Sequence, residues 1–443
     1  MKALMCFLLG LSFTQLVAQN QLNDTVKIKV VEIKPAPRTE YNQETLDSVE
    51  LTNPQHINLG DLLAKKSHLF IKSYGIGSMA TISLRGSGSE HTQINWNGIS
   101  LNSSMNGTID LALFPLFFMD HIDVDYGLAS LSEGAGGLGG AVNISSSPDF
   151  SNKLAGFVGY TIGSFGQEQW NAQLKYGNAK LQFATKALLN SADNNFQYQD
   201  LTHEGFPTRN VQNATFFQHG IMQNVHYKIK ENQWIEANVW WFDSKRNLPP
   251  LITLRDNIEF QEDQTIKIIV SYSNYLTKGK LKATFAYLYD DLLYENQRAE
   301  ISSTSETRSL KSRIDYDFNW KNIDLKSQLK TDLNTAYANS LNGDIEQKST
   351  EVFVSAFKKL SQRISIQFSA RELIVFGEAS YFLPQTELVY TSTSGKWYGH
   401  GKVGRNVKFP SLNDFYFEPS GNTELQAENA TSSELSLARI ISI

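Results

Sequence analysis

Cysteine occurs once in the 443 residues, at Cys6, close to the start of the chain. Everything after it lacks a thiol, which excludes disulfides, Cys-ligated zinc and Cys nucleophiles together. Long apolar runs are also missing. No stretch beyond the first residues reaches the ~18 apolar residues of a membrane helix. That absence excludes a helical membrane protein but not a β-barrel, whose strands carry their hydrophobicity in alternation. Charge of one sign is scarce too: 40 Lys and Arg stand against 45 Asp and Glu, a net charge of −5. No dense basic patch interrupts that balance, so no nucleic-acid partner is expected. The eight histidines include no H-x-x-x-H pair, and Asp193-Asn194-Asn195 lacks the Gly and Glu of an EF-hand loop. No G-x-S-x-G elbow occurs, so catalysis is not expected.

At the N-terminus, Lys2 precedes an apolar core, Ala3 to Phe13, and then the small residue Ala18. This is the pattern of a secretory signal peptide over residues 1–18. Residues 19–41 are polar, contain Pro35 and Pro37, and are expected to be mobile. Residues 42–150 mix short helical and strand segments with many glycines and read as a small α+β domain. Within them, NLGDLLAKK opens on an Asn cap and reads as a short helix, and QINWNGISL as two strands around an Asn97-Gly98 turn.

From about residue 153 the pattern has period two. Ile314, Tyr316, Phe318 and Trp320 alternate with Arg313, Asp315, Asp317 and Asn319. Leu281, Ala283, Phe285, Tyr287 and Tyr289 share one face, as do Ile235, Ala237, Val239 and Trp241, and Ile364, Ile366, Phe368 and Ala370. Tight polar turns near 177, 231, 279 and 321 alternate with longer polar stretches near 191–213, 244–264 and 291–307. Short connections on one rim and long ones on the other characterise an outer-membrane barrel, and aromatic residues near the strand ends suit its two lipid interfaces. The fold expected is therefore mainly β: a transmembrane antiparallel barrel over 151–443 behind a small N-terminal plug. A secreted β-sandwich or solenoid is the alternative on periodicity alone.

The stretch NLGDLLAKKSHLFIKSYGIGSMATISLRGSGSEHTQINWNGISLN resembles the plug of the TonB-dependent outer-membrane receptors, with Arg85-Gly86 and Asn97-Gly98 on the family's turn positions. IDLALFPLFFMDHIDVDYGLASLSEGAGGLGGAVNI resembles the plug's closing stretch, and FPSLNDFYF with GNTELQAENATSSEL resembles a late barrel motif. Asn97 stands where the family usually has Asp, His121 where it often has Arg, and Leu425-Gln426-Ala427-Glu428 replaces its L-K-P-E. Within the family the plug is most similar to that of the cobalamin receptors. The resemblance implies a Gram-negative outer-membrane location, a lipid-embedded barrel, and a corrinoid or, alternatively, a ferric-siderophore substrate. It also implies TonB as the energising partner, with Asp24, Thr25, Val26, Lys27, Ile28, Lys29 and Val30 as the segment that TonB pairs with by β-augmentation. An ordinary first plug strand is the competing reading of that segment.

The expected substrate loops are Ser73, Tyr74, Gly75, Ile76, Gly77, Ser78 and Met79, and Asn102, Ser103, Ser104, Met105 and Asn106. Simple plug turns are the alternative for both. Outer loops such as 190–200 are expected to contribute. No cofactor is expected; the resembled receptors order outer loops with calcium, but no ligands can be placed.

Gly134, Gly136 and Gly139 spell G-x-G-x-x-G, a dinucleotide fingerprint. That motif needs a helix next, to receive a pyrophosphate. Here Gly140, Ala141, Val142, Asn143 and Ile144 read as a strand, so the glycines are expected to form a close-packed turn at the end of the plug. A passive pore or adhesin is disfavoured by residues 24–144. Finally, the barrel region holds about 14 candidate strands where such plugged barrels have about 22, and the chain stops at Ile443 in mid-pattern. A truncated receptor, or a non-functional fragment of one, is expected, with a sheet left open at two edges.

Overall fold

The computed structural model describes residues 43–46, 51, 57–146, 153–251, 258–341, 343–418 and 420–439. The expected signal segment 1–18, residues 19–41 and the expected TonB-pairing residues 24–30 lie outside them.

The first domain forms a five-stranded sheet and a small hairpin. Its strands are β1 (Gln43–Thr45), β2 (Phe70–Ser73), β3 (Ala80–Ser83), β4 (Thr92–Trp96), β5 (Ile99–Ser100), β6 (His121–Tyr126) and β7 (Gly140–Ser145). The sheet order is β1-β6-β7-β4-β5, with β4 and β7 parallel, while β2 and β3 pair separately. Helix α1 (Leu59–Lys66) begins at Asn58, whose side chain accepts from Asp61 N at 3.0 Å, with Lys65 and Lys66 in the last turn. Both ends thus match the helix dipole and its unsatisfied N–H groups. Asn97 (φ 50°) and Gly98 (φ 86°) supply the two left-handed residues of the β4–β5 turn. Leu59, Leu62, Leu63, Ile82, Ile94, Trp96, Ile122, Val124 and Val142 form the domain's core.

The second part is a 14-stranded antiparallel sheet. Its strands are β8 (Leu154–Ile162), β9 (Glu168–Gly177), β10 (Leu181–Ala192), β13 (Phe216–Lys230), β14 (Gln233–Leu248), β15 (Glu259–Leu276), β16 (Gly279–Asn296), β17 (Ile301–Trp320), β18 (Ile323–Ala338), β19 (Ile345–Lys359), β20 (Ile364–Val375), β21 (Ala379–Thr391), β22 (Trp397–Lys408) and β23 (Glu428–Arg439). A two-strand hairpin, β11 (Gln197–Gln199) and β12 (Thr208–Asn210), sits in the connection between β10 and β13. Every strand of the large sheet pairs with its sequence neighbour, and β8 and β23 do not pair with each other. Among the described residues the sheet is open at two edges, as expected.

Its faces are inverted relative to a soluble protein. Val239, Val270, Phe285, Leu310, Val354, Phe368 and Leu388 point away from the first domain and are exposed. Lys186, Gln218, Asn224, Asn238, Lys267, Ser271 and Arg371 point toward it and are buried. An apolar belt outside and polar groups inside is the pattern a bilayer imposes. Among the described residues no helix is long and apolar enough to cross a membrane.

The connections differ from the sequence reading in one respect. One rim carries only tight turns, as expected, but the other is mixed. Residues 193–215, 249–258 and 409–427 are long, whereas β16 and β17 run on as a ladder and leave only 297–300 between them. Residues 291–307 are therefore mostly strand, paired from Asp291 with Glu306 to Asn296 with Ile301 beneath a polar composition.

A charge in the outer belt should be costly. Phe285→Arg is expected to lose ~2–4 kcal/mol near the midplane. The check is the fraction of folded, heat-modifiable protein recovered from membranes.

Candidate substrate face of the plug

The wall grips the plug mainly through its backbone carbonyls. Lys311 Nζ donates to Ser100 O at 2.9 Å and Arg313 to Gly98 O at 2.9 Å. Arg371 donates to Leu131 O at 2.9 Å while pairing with Glu351 at 2.5 Å, and Glu351 accepts from Ala135 N at 3.1 Å. Lys330 donates to Glu133 O, and Asn406 to Gly137 O at 3.1 Å. Lys186 pairs with Asp120 at 2.8 Å. A charged group buried without a partner costs several kcal/mol, so each wall cation needs its plug acceptor in place. One apolar socket joins these contacts: Trp240 of β14 meets Trp96, Phe114 and Phe118 edge-on at 5.4, 5.3 and 5.7 Å.

The plug's turn residues fall where close approach requires glycine. Gly134 (φ 153°), Gly136 (φ 94°) and Gly140 (φ 154°) lie in conformations that L side chains rarely adopt. A Cβ on Gly140 would sit 2.2 Å from Leu84 and 2.3 Å from Asp125 O, and one on Gly139 2.5 Å from Ser87. Strand β7 follows directly, with no helix. The G-x-G-x-x-G spacing thus builds a packed turn, not a dinucleotide site. Arg85 (φ 52°) and Gly86 (φ 75°) turn the chain after β3, and Arg85 reaches the wall to pair with Glu434 at 2.6 Å.

Both loops expected to meet substrate lie at the rim with the long connections. The 73–79 loop caps the β2–β3 hairpin. Its Ile76 carbonyl accepts from Asn194 at 2.9 Å, and Gly77 (φ 72°) packs so closely on Phe216 that a Cβ would lie 2.2 Å from the ring. The backbone is clamped while Tyr74, Ile76 and Met79 are 62%, 38% and 41% exposed.

The 102–107 loop is held differently. Asn102 is internal scaffolding: its side chain accepts from Ile94 N at 2.8 Å and donates to Thr92 O and Gly107 O. Asn106 accepts from Thr108, and Ser103 from Met105 N. Helix α2 (Leu412–Tyr416), in the β22–β23 connection, docks on this loop through Leu412 N to Ser104 O at 3.1 Å and Asn413 N to Met105 O at 2.7 Å. Met105 is buried with Ala336, Ala338, Leu341 and Leu412, so it presents no side chain to a ligand. Beneath the loop lies a polar cavity of about 160 Å³ between plug and wall, reached by Ser104, Lys311, Glu351 and Lys408.

The roles of Asn194, Phe216 and α2 were not read from the sequence. Asn194 carried no signal beyond its place in a polar loop. Phe216 looked like part of an aromatic girdle but points inward. Helix α2 was visible only as a family motif, although Ser411 and Asp414 spell its capping box. Phe196, Tyr198, Arg209 and Leu251 line an open cavity of about 530 Å³ beside the outer hairpin. Among the described residues no group of three or more His, Cys, Asp or Glu could hold a metal ion.

A curved, open strand wall with an apolar exterior, packed around a clamped domain that offers a loop face at one rim, has the architecture of part of a plugged outer-membrane-type barrel. Residues 36–141 match the family model of the TonB-dependent receptor plug domain. The vitamin B12 transporter BtuB of Vibrio vulnificus is 28% identical over 141 residues, 31% of this chain and 21% of that protein. BtuB of Photobacterium profundum is 20% identical over 429 residues, 91% of this chain and 64% of that protein. The chain thus spans less than two thirds of either relative's length. The crystal structure of the siderophore receptor PirA from Acinetobacter baumannii superposes with a TM-score of 0.69 at 13% identity, over 91% of this chain and 69% of that one. Residues 36–141 thus carry a TonB-dependent receptor plug domain, similar in sequence to part of BtuB, and the chain shares its fold with receptors of that kind.

Gly77→Ala should strain the clamped loop by ~1–3 kcal/mol through its left-handed backbone and the Phe216 contact. Faster proteolytic cleavage near residue 77, with the barrel still heat-modifiable, is the expected readout.

Proposed function

We propose that the protein is an outer-membrane importer driven by TonB, exported by its N-terminal signal, and that it carries cobalamin or a related corrinoid. The observation that carries this reading is the 73–79 loop: a backbone pinned by Asn194 and Phe216 holds three exposed side chains, Tyr74, Ile76 and Met79, at the long-loop rim of a plugged lumen. A large ligand gains affinity from such a face because little ordering remains to be done on binding. The 102–107 loop contributes Ser103, Ser104 and Asn106 through polar and backbone groups. Sequence similarity to vitamin B12 transporters favours a corrinoid. A ferric siderophore is the second reading, favoured by the likeness in fold to a siderophore receptor.

The outer membrane holds no ATP, so the work of opening must arrive mechanically. TonB would pair with Asp24–Val30 as an added strand and pull toward the periplasm. The first described element that the pull would load is β1. It is an edge strand with three residue pairs to β6, reinforced by Tyr126 donating to Glu44 and Thr45 to Asp123, both at 2.5 Å. Burial and the Glu44 carboxylate push the Tyr126 phenol well above its usual range, so it stays a donor at all ordinary pH. Outer-loop calcium remains an expectation without assigned ligands.

The test is titration of the membrane-embedded protein with cyanocobalamin and with ferric siderophores. Saturable cyanocobalamin binding that weakens about tenfold in Tyr74→Ala supports the corrinoid reading. Binding of a ferric siderophore alone replaces it. Ile28→Pro should leave ligand affinity unchanged and abolish uptake, because proline removes a ladder N–H. Undiminished uptake in that variant would overturn the coupling role of residues 24–30.

A further inference from the structure

We infer that Arg246 of the wall positions the substrate face of the plug by holding the plug carboxylate of Asp110; the inference rests on the 73–79 loop being that face. Asp110 sits where the two candidate loops converge. Its Oδ1 accepts from Ala80 N at 2.9 Å, at the residue that closes the 73–79 loop, and from Ala112 N at 3.0 Å, at the turn following the 102–107 loop. Its Oδ2 lies 2.6 Å from Arg246. Arg246 is 2% exposed and has a second carboxylate, Asp263 of the neighbouring strand, at 3.5 Å. One oxygen thus fixes two plug backbone segments and the other fixes the carboxylate to the wall.

The same stretch of wall makes a second contact with the loop. Phe216 is the cross-strand partner of Arg246 in the β13–β14 ladder, and its ring is the surface on which Gly77 packs. One rung of the wall therefore holds the loop at two places, by charge at Ala80 through Asp110 and by shape at Gly77. If either hold is lost, the binding-competent arrangement becomes a fraction of the population, and apparent affinity falls by that fraction. Arg246 is a positioning residue: it reaches the loop through Asp110 and offers itself to no ligand, being already engaged by two carboxylates.

The discriminating variants are Asp110→Asn and Arg246→Gln, with Arg246→Lys as the conservative exchange. Asparagine Oδ1 can still accept from Ala80 and Ala112, and Arg246 keeps Asp263, so D110N breaks the ionic link and sets an amide N–H against the guanidinium while leaving the plug backbone bonds in place. Cys6 is the chain's only cysteine, so a Cys6→Ser background allows one spin label at Ser78→Cys in the loop and, separately, one at Ser361→Cys in a tight turn of the opposite rim. The expected result is increased label mobility at position 78 in D110N and R246Q, no change at 361, and partial recovery in R246K. Apparent affinity for cyanocobalamin, measured on unlabelled protein, should fall about tenfold. Unchanged mobility at position 78 in both D110N and R246Q, in protein that remains heat-modifiable, overturns the inference whatever the affinity does. Increased mobility with unchanged affinity for cyanocobalamin and for ferric siderophores upholds the positioning role and overturns instead the reading of the loop as the substrate face. If R246Q fails to assemble, D110N alone decides between these outcomes.

Discussion

Successive residues of a strand face opposite ways, and in this sheet an apolar belt points outward while lysine, arginine and asparagine side chains point inward, so the plug is held largely by hydrogen bonds and charges. The plug meets this constraint with its backbone. Ser100, Gly98, Leu131, Glu133 and Gly137 offer carbonyls to lysine, arginine and asparagine side chains of the wall. A hydrogen bond to a charged group is worth about 1.5–3 kcal/mol, while a buried charge left alone costs more than that. The contacts are therefore interdependent, and the plug is seated as a whole. Apolar packing adds to this at the socket of Trp240, where three aromatic residues of the plug converge, and where Leu131 clusters with Leu373, Val375, Leu383 and Val407 of the wall.

The same constraint accounts for the plug's glycines. Carbonyls can be aimed at a wall only if the backbone bends sharply and lies close. Residues 134–140 do this with three glycines in conformations that other residues resist. What reads as a phosphate-binding fingerprint is the geometry of a domain pressed against a barrel. The contrast between the two candidate loops follows from how each is anchored. The 73–79 loop is pinned by its main chain and leaves its side chains outward. The 102–107 loop is pinned by a side chain, Met105, and by its own carbonyls beneath α2, which leaves mainly polar groups on view.

Much of this was legible in the chain. The alternation in 281–289, 313–320 and 364–370 assigned both strands and faces correctly, because side-chain period is a local property that survives any arrangement of neighbours. The Asn58 cap, the Asn97-Gly98 turn and the strand after Gly139 were equally local. Polar composition misled at 291–307, where lumen-facing and rim residues made a continuing strand pair look like a loop. It also left Met105 looking free, since burial under a connection far along the chain has no local mark.

The sequence by itself determined the strand pattern, the inverted polarity of the two faces and the plug's own turns, all consequences of backbone preference and spacing over a few residues. Only the tertiary structure decided which loop keeps its side chains exposed and which carboxylate joins plug to wall. Asp110 reads locally as a helix cap and Arg246 as a cation on the inner face of a strand. Their pairing depends on how the wall curves around the plug, and chain spacing carries no record of that curvature.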